Sequence, residues 1–251
     1  MTIPSNPNGA FSDHERDAVY RAIFERRDVR KDFLSRPIPD TTLHRLLMAS
    51  HHAGSVGFMQ PWDFVIVQNS QTKQTIKGLF EQANHRAAQS YRGEKSALYR
   101  SLKLEGIQEA PVNICVTCTR QRGGPHVLGR ATIPDTDVYS TCCAIQNLWL
   151  AARAEGIGMG WVSILDYNSL KRVLGIPRSI KVVAYLCLGY VKAFSGQPDL
   201  AKAGWRKRLP IHELVHYEEW GKRTGSPMTG NSKPAGPPPL KSRKRPRGKN
   251  A

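Results

Sequence analysis

The stretch Gly156-Ile157-Gly158-Met159-Gly160-Trp161-Val162-Ser163-Ile164 decides which α/β or α+β folds this chain can adopt. A strong helical pattern precedes it, from about Thr136 to Glu155, and a short strand is predicted over Gly160–Ile164. A dinucleotide-binding fingerprint needs the opposite order, with a strand before the glycines and a helix after them. The sequence therefore excludes a Rossmann domain. The glycines are expected instead to let the backbone approach a flat ligand or another chain closely.

Helical and extended patterns alternate along the rest of the chain, and the strands are few. Three further strands are predicted, at Trp62–Gln68, Val112–Cys118 and Lys181–Val191. Helical patterns start at the capping-box sequence Ser12-Asp13-His14-Glu15 and at Asp40, cover residues 70–105 with breaks near Gly78 and Gly93, and return at Thr136–Glu155 and Asp166–Leu174. The pattern fits a sandwich in which long helices cover a central sheet.

The charge of the chain points to an anionic ligand. Its 251 residues include 37 Lys and Arg against 20 Asp and Glu, a formal net charge of +17. Residues 224–251 hold seven basic and no acidic residues, which leaves +10 on the preceding part. That excess favours a phosphate or an acidic partner, without specifying which of them binds.

Three regions are expected: a flexible N-terminal arm at 1–11, one domain at 12–223, and a disordered basic tail rich in Pro and Gly at 224–251. The tail could contact nucleic acid, but a charge run alone carries little specificity, and the body has no helix-turn-helix, zinc-finger or RNP-like pattern. Nucleic acid is therefore not the expected partner. No apolar run of about 18 residues and no secretory signal occur, which predicts a cytoplasmic protein without a membrane span.

Five cysteines, Cys115, Cys118, Cys142, Cys143 and Cys187, give an odd count that argues against a disulfide framework. Cys115-Val116-Thr117-Cys118 matches a C-x-x-C motif but lies in a predicted strand. Side chains three residues apart on a strand point to opposite faces, so one metal ion cannot readily take both. We therefore expect core packing of the thiols and no metal site.

Two segments could carry chemistry. Glu25-Arg26-Arg27-Asp28-Val29-Arg30 offers three guanidinium groups to a phosphate, and its arginines would favour the ionised form of Asp28. The alternative is a solvated helix end that makes surface ion pairs. Gly160–Ile164 could present backbone amides and the Ser163 hydroxyl to a ligand, or could be an ordinary edge strand. No G-x-S-x-G elbow surrounds Ser163, so it is not expected to be a hydrolase nucleophile.

Taken together, three segments resemble those of the nitroreductase-like flavoproteins. They are Arg26-Arg27-Asp28-Val29-Arg30, Ala53-Gly54-Ser55-Val56-Gly57-Phe58-Met59-Gln60-Pro61-Trp62 and Gly158-Met159-Gly160-Trp161-Val162-Ser163-Ile164. Each segment alone is shared loosely by the wider superfamily. The combination R-R-D-V-R with G-W-V-S-I is narrower and is similar to the BluB type, the 5,6-dimethylbenzimidazole synthases. The likeness covers about residues 12–222.

The resemblance implies an α+β sandwich whose central mixed sheet is flanked by long helices, in a homodimer that binds FMN at the subunit interface. It also implies that reduced FMN and O₂ are consumed and that the flavin is fragmented to 5,6-dimethylbenzimidazole, the lower ligand of cobalamin (vitamin B12). The electrons of NAD(P)H would enter either through a separate flavin reductase or directly at this chain, and the sequence leaves both routes open.

The same resemblance assigns the expected site residues. Asp28 and Ser163 match the two functional polar residues of the family and would be catalytic. Asp28 would be a general base or polar orienter, and Ser163 would orient the peroxide or relay a proton. Arg26, Arg27 and Arg30 would hold the phosphate and ribityl chain. The remaining expected flavin contacts are Val29, Gly54, Ser55, Trp161 and Ile164, with Trp161 or Trp62 as a wall of the site.

Three alternatives remain open from the sequence. An ordinary NAD(P)H-dependent nitroreductase or flavin oxidoreductase would regenerate its flavin, whereas the expected enzyme destroys it. A basic nucleic-acid-binding protein would depend on the tail. A flavin-binding protein without turnover would share the same binding residues.

Overall fold

The computed structural model describes residues 9–223, and the centre of this part is an antiparallel sheet of four strands. The strands are β1 (Trp62–Val67), β2 (Val112–Cys118), β3 (Ile157–Trp161) and β4 (Lys181–Tyr190). Their spatial order is β1-β2-β4-β3, so β1 and β3 are the edges. The two central strands, β2 and β4, are buried along almost their whole length, which agrees with their unbroken apolar runs.

Seven helices are present in the described residues. They are α1 (Asp13–Glu25), α2 (Asp40–His51), α3 (Ser70–Ala88), α4 (Gly93–Ser101), α5 (Thr136–Ala154), α6 (Tyr167–Leu174) and α7 (Asp199–Lys202), with short 3₁₀ turns at Val56–Phe58 and Ile211–Glu213. Local chemistry sets several of their ends. Ser12 and Glu15 form the expected capping box of α1. Gly175 ends α6 in the left-handed conformation, at φ 65°.

The sheet separates two apolar layers. One layer joins α2 and α5 to the side chains of Ile114 and Val116. The other joins α3 and α6 to Cys115 between them. Cys118 lies on the α5 side of the sheet, where its side chain forms a hydrogen bond with Thr141. The prediction that the C-x-x-C cysteines are buried on opposite faces is thus confirmed, and burial raises the pKa of the Cys115 thiol to about 12.

The α+β sandwich with long covering helices is confirmed, and three details differ from expectation. The sheet is not mixed: all its ladders are antiparallel, and the parallel component is one isolated bridge between Asp28 and Met159. Helix α3 runs through Gly78 without a break, because no neighbour crowds that position and its backbone stays helical. Strand β3 starts at Ile157, so its glycines lie inside the strand and Ser163 follows it.

The chain divides into two compact units between Arg206 and Lys207. The expected domain bounds of 12–223 stay a prediction. The first eight residues of the expected arm and the expected tail at 224–251 lie outside the described residues. Among the helices of residues 9–223, none is long and apolar enough to cross a membrane.

Candidate functional site

The candidate site is built where the segment 26–30 leaves α1 and crosses the edge strand β3. Helix α1 ends at Glu25, and the backbone of the following residue, Arg26, is already extended at φ −60° and ψ 136°. The amide of Val29 donates to the carbonyl oxygen of Met159 at 3.0 Å. Asp28 forms the isolated parallel bridge with the same Met159. A segment early in the chain is thereby fixed beside residues 157–161.

Two glycines of β3 make this crossing possible. A Cβ atom on Gly160 would lie 2.0 Å from the carbonyl oxygen of Val29. A Cβ on Gly158 would lie 2.7 Å from Cγ1 of Val191 and 3.0 Å from Cγ2 of Val29. Real Cβ atoms do not approach that closely, so only glycine fits. The backbone that approaches these glycines is the chain's own segment 28–29, and the expected approach to a flat ligand or another chain stays a prediction.

The carboxylate of Asp28 is held at both oxygens. Oδ1 accepts from the backbone amide of Trp161 at 3.1 Å, and Oδ2 accepts from Nη2 of Arg30. Asp28 and Arg30 lie on the same side because alternate residues of an extended segment share a face. Their side chains are 29% and 13% exposed. The pair is therefore mostly withdrawn from solvent while Asp28 keeps one exposed side.

Burial dominates the acidity of Asp28. It raises the pKa of this carboxyl, and the lowering contributions of the Arg30 charge, the Trp161 amide and the Arg26 charge do not reverse that direction. The nearby Asp199 carboxylate raises the pKa slightly further. The sequence-based expectation that the arginines favour the ionised form gives the sign of their own contribution correctly, but the net direction is wrong because the burial of Asp28 could not be read from the segment.

Arg27 holds two segments of the backbone together, and it is also a candidate residue for binding a phosphate. Its guanidinium donates to the carbonyl oxygens of Phe24 and Arg26 at 2.8 and 2.7 Å, and to those of Ser195 and Gly196 at 3.0 and 2.9 Å. Four accepting carbonyls join the end of α1 to the loop after β4. The solvated-helix-end alternative is therefore wrong for this residue, and its contact with a phosphate stays a prediction.

Replacing Arg27 with Met should lower the free energy of unfolding by about 2–3 kcal/mol, because several carbonyl groups lose a charged donor. The measurement is urea unfolding followed by circular dichroism. Arg21→Met is the matched control on the preceding helix, since the Arg21 side chain is 58% exposed and its ion pair is with Glu25. That control should change the free energy of unfolding by less than about 0.5 kcal/mol. Equal effects of both variants would contradict the structural role of Arg27.

Arg26 and Arg30 are arranged differently from Arg27. The Arg26 guanidinium lies 4.5 Å from the centre of the Trp149 ring, and the indole Nε1 of Trp149 donates to the carbonyl of Arg27 at 3.2 Å. The Nε atom of Arg30 is buried and has no hydrogen-bond partner within the described part of the chain. An unsatisfied buried donor beside Asp28 fits an acceptor atom on a bound molecule.

The residues after β3 lie close to Asp28. Val162 is buried, and its amide donates to the carbonyl of Tyr185 at 2.8 Å. Ser163 follows it and is exposed. Because Ser163 is two residues beyond the amide that binds Asp28, its backbone lies within about 7 Å of that amide. The structure thus brings Asp28, Trp161 and Ser163 into one neighbourhood, with Ile164 half-buried beside them.

Gly54 and Ser55 belong to a separate turn, which follows α2 and leads into β1. The Ser55 hydroxyl accepts from the Gln60 amide at 3.2 Å, and the Val56 amide donates to the hydroxyl of Ser140 on α5 at 3.1 Å. No atom lies within 4 Å of a Cβ built on Gly54, so this side of the turn is open. Strands β1 and β3 are opposite sheet edges, about 14 Å apart. The two halves of the expected flavin site thus start from different edges of the sheet of this chain.

A cleft of about 730 Å³ lies beside this turn and was not foreseen from the sequence. Its walls come from α2, the start of β1 and the loop after β2; they include His44, His51, Trp62, Asp63, Arg122 and His126. Arg122 braces the loop by donating to the carbonyls of Gln60 and Trp62 at 3.0 and 2.8 Å. The three arginines within residues 120–130 were the one sequence signal that could have indicated the cleft. Because these residues are rich in glycine, the sequence predicted a loop and gave no reason to expect an ordered wall. Phe58 and Leu128 project at the rim and are 81% and 84% exposed.

Comparison with known proteins agrees with this architecture. The Nitroreductase family model matches residues 23–190. A 5,6-dimethylbenzimidazole synthase of Rhodospirillum rubrum is 42% identical over 195 residues, covering 77% of this chain and 92% of the relative. A 5,6-dimethylbenzimidazole synthase of Rhodobacter capsulatus is 38% identical over 213 residues, covering 85% of this chain and 99% of the relative.

Solved structures share the fold at lower identity. Iodotyrosine deiodinase bound to FMN and 3-iodo-L-tyrosine matches with a TM-score of 0.64 at 20% identity, covering 80% of this chain and all of that one. A BluB-like flavoprotein from Clostridium difficile 630 matches with a TM-score of 0.61 at 19% identity, covering 80% and 99%. The family match, the identity to two synthases and the shared fold lead to one conclusion: this chain belongs to the Nitroreductase family, and its resemblance to the 5,6-dimethylbenzimidazole synthases within that family is confirmed.

Proposed function

We propose that this protein is a 5,6-dimethylbenzimidazole synthase, which converts reduced FMN and O₂ to the lower ligand of cobalamin. The observation that carries the proposal is the Asp28 carboxylate, held by the Trp161 amide beside Ser163 on a segment that reads R-R-D-V-R. Two synthases that are 42% and 38% identical over most of the chain support it.

The residues present fit a flavin phosphate ester. The buried Nε of Arg30 lacks an acceptor, Gly54 borders open space, and the excess of basic residues favours an anion. When bound, reduced FMN supplies the electrons for O₂ and the carbon atoms of the product. We assign its phosphate and ribityl chain to Arg26, Arg27 and Arg30. Val29 on the same segment, Trp161 at the end of β3 and Ile164 beyond it would line the flavin, and Gly54 and Ser55 would lie against the ring.

Asp28 is the proton acceptor in this proposal. Its carboxylate is fixed by two donors, keeps 29% of its surface exposed, and has a raised pKa, so it is a stronger base than an ordinary carboxylate. It would take a proton from the ribityl carbon next to the ring. The exposed hydroxyl of Ser163 both donates and accepts, and would pass that proton on or orient the oxygen reactant. The half-buried Trp161 would help to exclude water.

A homodimer would complete the site. Helix α1 has no buried residue, and its apolar side chains Val19, Tyr20, Ile23 and Phe24 are 41–55% exposed. Neighbouring exposed apolar residues on one helix are typical of a surface that another chain covers. Within one protomer, the Gly54–Ser55 turn and the 26–30 segment lie at opposite edges of the sheet. A second copy would bring the open turn of one protomer to the 26–30 segment of the other. A separate flavin reductase, using NAD(P)H, would supply reduced FMN.

An ordinary NAD(P)H-dependent nitroreductase is the second candidate. Its support is the fold shared with nitroreductase A of Vibrio parahaemolyticus, at a TM-score of 0.59 and 20% identity. The fate of the flavin separates the two. Incubation of the full chain in air with FMN, NADPH and a flavin reductase should yield 5,6-dimethylbenzimidazole by chromatography, with an equal loss of total flavin. Unchanged total flavin without this product would contradict the synthase and favour the nitroreductase.

The basic tail is not expected to take part in the reaction. A chain that ends at Arg223 should form 5,6-dimethylbenzimidazole at a rate within about twofold of the full chain, because every residue assigned to the site lies before that point. The same chromatographic assay measures it. If the protein were a nucleic-acid-binding module that depends on the seven basic tail residues, truncation would abolish its binding, as a gel-shift titration would show.

A further inference from the structure

We propose that Arg30 is a positioning residue, which orients the Asp28 carboxylate by donating from Nη2 to Oδ2 beside β3. This role rests on the proposed function, because it concerns the group assigned there as proton acceptor. It is additional to the flavin contact proposed above for Arg30, because it uses Nη2 and leaves the buried Nε atom for an acceptor on the flavin. It also distinguishes this arginine from its two neighbours. Arg27 bonds to backbone carbonyls and Arg26 lies over Trp149, whereas Arg30 meets the carboxylate itself.

The backbone around the pair is held on both sides. Before Arg30, the Val29 amide donates to Met159 at 3.0 Å. After it, Phe33 forms an antiparallel bridge with Val191, and the Leu34 amide donates to the carbonyl of Tyr190 at 2.8 Å. A Cβ on Gly106 would lie 3.2 Å from the carbonyl oxygen of Arg30, so the loop before β2 packs on the same backbone. The arginine therefore has a fixed base from which to reach Asp28.

The two contacts on Asp28 act together. The Trp161 amide fixes Oδ1 and the Arg30 guanidinium fixes Oδ2, so rotation about the carboxyl bond would break at least one of them. The Arg30 side chain is only 13% exposed. Withdrawing an ion pair from water costs desolvation free energy, which is offset only when the geometry of the pair is good. Two donors set the direction of the free lone pairs and keep part of the carboxylate surface open to a reactant.

Several charged or titratable groups face this carboxylate. Arg30 and Arg26 on its own segment favour the ionised form, and Asp199 on α7 opposes it. The Cys187 thiol of β4 also interacts with Asp28, but burial raises the pKa of Cys187 so far that it stays a neutral thiol. Arg30 is the largest of the charge contributions. Without Arg30, burial would raise the pKa of Asp28 further.

The test is the pH dependence of 5,6-dimethylbenzimidazole formation by full-length wild type, Arg30→Met and Arg30→Lys, started with reduced FMN at saturation in air. On the acidic limb of the pH–rate profile, the rate falls as Asp28 becomes protonated. It should move to higher pH by about 1–3 units in Arg30→Met, because the neighbouring positive charge is lost. Arg30→Lys keeps the charge and should restore most of the wild-type limb.

A double variant shows whether Arg30 acts through Asp28. Adding Arg30→Met to Asp28→Asn should lower the rate by less than about twofold further, since the group it positions is already gone. An unshifted acidic limb in Arg30→Met, or full additivity in the double variant, would overturn the positioning role. Absence of product from the wild type would instead overturn the proposed function, so the two failures are distinguishable. Thermal unfolding and FMN affinity of each variant establish that it is folded and that the flavin is saturating.

Discussion

Replacing Asp28 with Asn should lower the rate of 5,6-dimethylbenzimidazole formation by about 10²–10⁴-fold while FMN still binds. The amide keeps the size of the carboxyl group and can still accept from the Trp161 amide, but it cannot take a proton at any working pH. Ser163→Ala should likewise lose product and keep flavin binding, because it removes an exposed hydroxyl without disturbing packing. Chromatography measures the product, and quenching of flavin fluorescence measures affinity.

Asp32 provides the matched control for Asp28. It lies four residues later on the same segment, is exposed, and has a left-handed backbone with φ at 62°. Asparagine adopts that conformation readily, so Asp32→Asn changes the charge with little strain. This control should form product at a rate within about twofold of wild type. Normal product yields from both Asp28→Asn and Ser163→Ala would show that the site has been assigned to the wrong residues.

Gly160→Ala should cost about 3 kcal/mol or more in the free energy of unfolding. The added methyl group would lie 2.0 Å from the carbonyl oxygen of Val29, which is backbone and cannot rotate away. Relief requires the segment 28–29 to leave β3, which breaks the Val29–Met159 hydrogen bond and the contact of Asp28 with the Trp161 amide. We therefore expect the loss of product formation to accompany the loss of stability in urea unfolding.

Gly78 is the control for the glycine substitution. It lies within α3, with no atom within 4 Å of a built Cβ and without a positive φ. Gly78→Ala should therefore raise the free energy of unfolding by about 0.5–1 kcal/mol, because alanine is the better helix former. Equal stability of Gly160→Ala and wild type would show that the segment 28–29 is not packed against β3 as closely as described.

Patterns along the sequence predicted the helices and strands well, because apolar periodicity and capping residues are local. Strand β2 lies at Val112–Cys118 as expected, and α5 differs from its expected end by one residue. The paired direction of the strands is not a local property, and the expected mixed sheet was antiparallel. At Gly78 a local signal was misleading. Glycine is unfavourable inside a helix, but α3 is continuous through it where the helix packs on the sheet.

For the candidate site, the sequence predicted which residues lie together better than it predicted their electrostatics. The sequence and the family resemblance together placed Asp28 near residues 160–164, and the structure joins them through the Trp161 amide. The raised pKa of Asp28 depends on burial by β3, and nothing within 26–30 reports it. The cleft beside Phe58 was missed because its walls come from three separated segments. Arg122, which holds its loop, bonds to the carbonyls of Gln60 and Trp62 and to Asp63, and no sequence motif marks these partners.

The bond between Asp28 and Trp161 spans 133 residues of chain, and this separation bears on how the protein comes to be active. Contacts between such distant positions carry the entropy of closing a long loop, so they form late relative to local helices. During synthesis, α1 and the 26–30 segment leave the ribosome long before their docking strand exists. The nascent chain therefore carries the Asp28 carboxylate without its Trp161 partner until most of the domain has emerged, and a fragment that stops short of β3 would have helices but not the assembled candidate site.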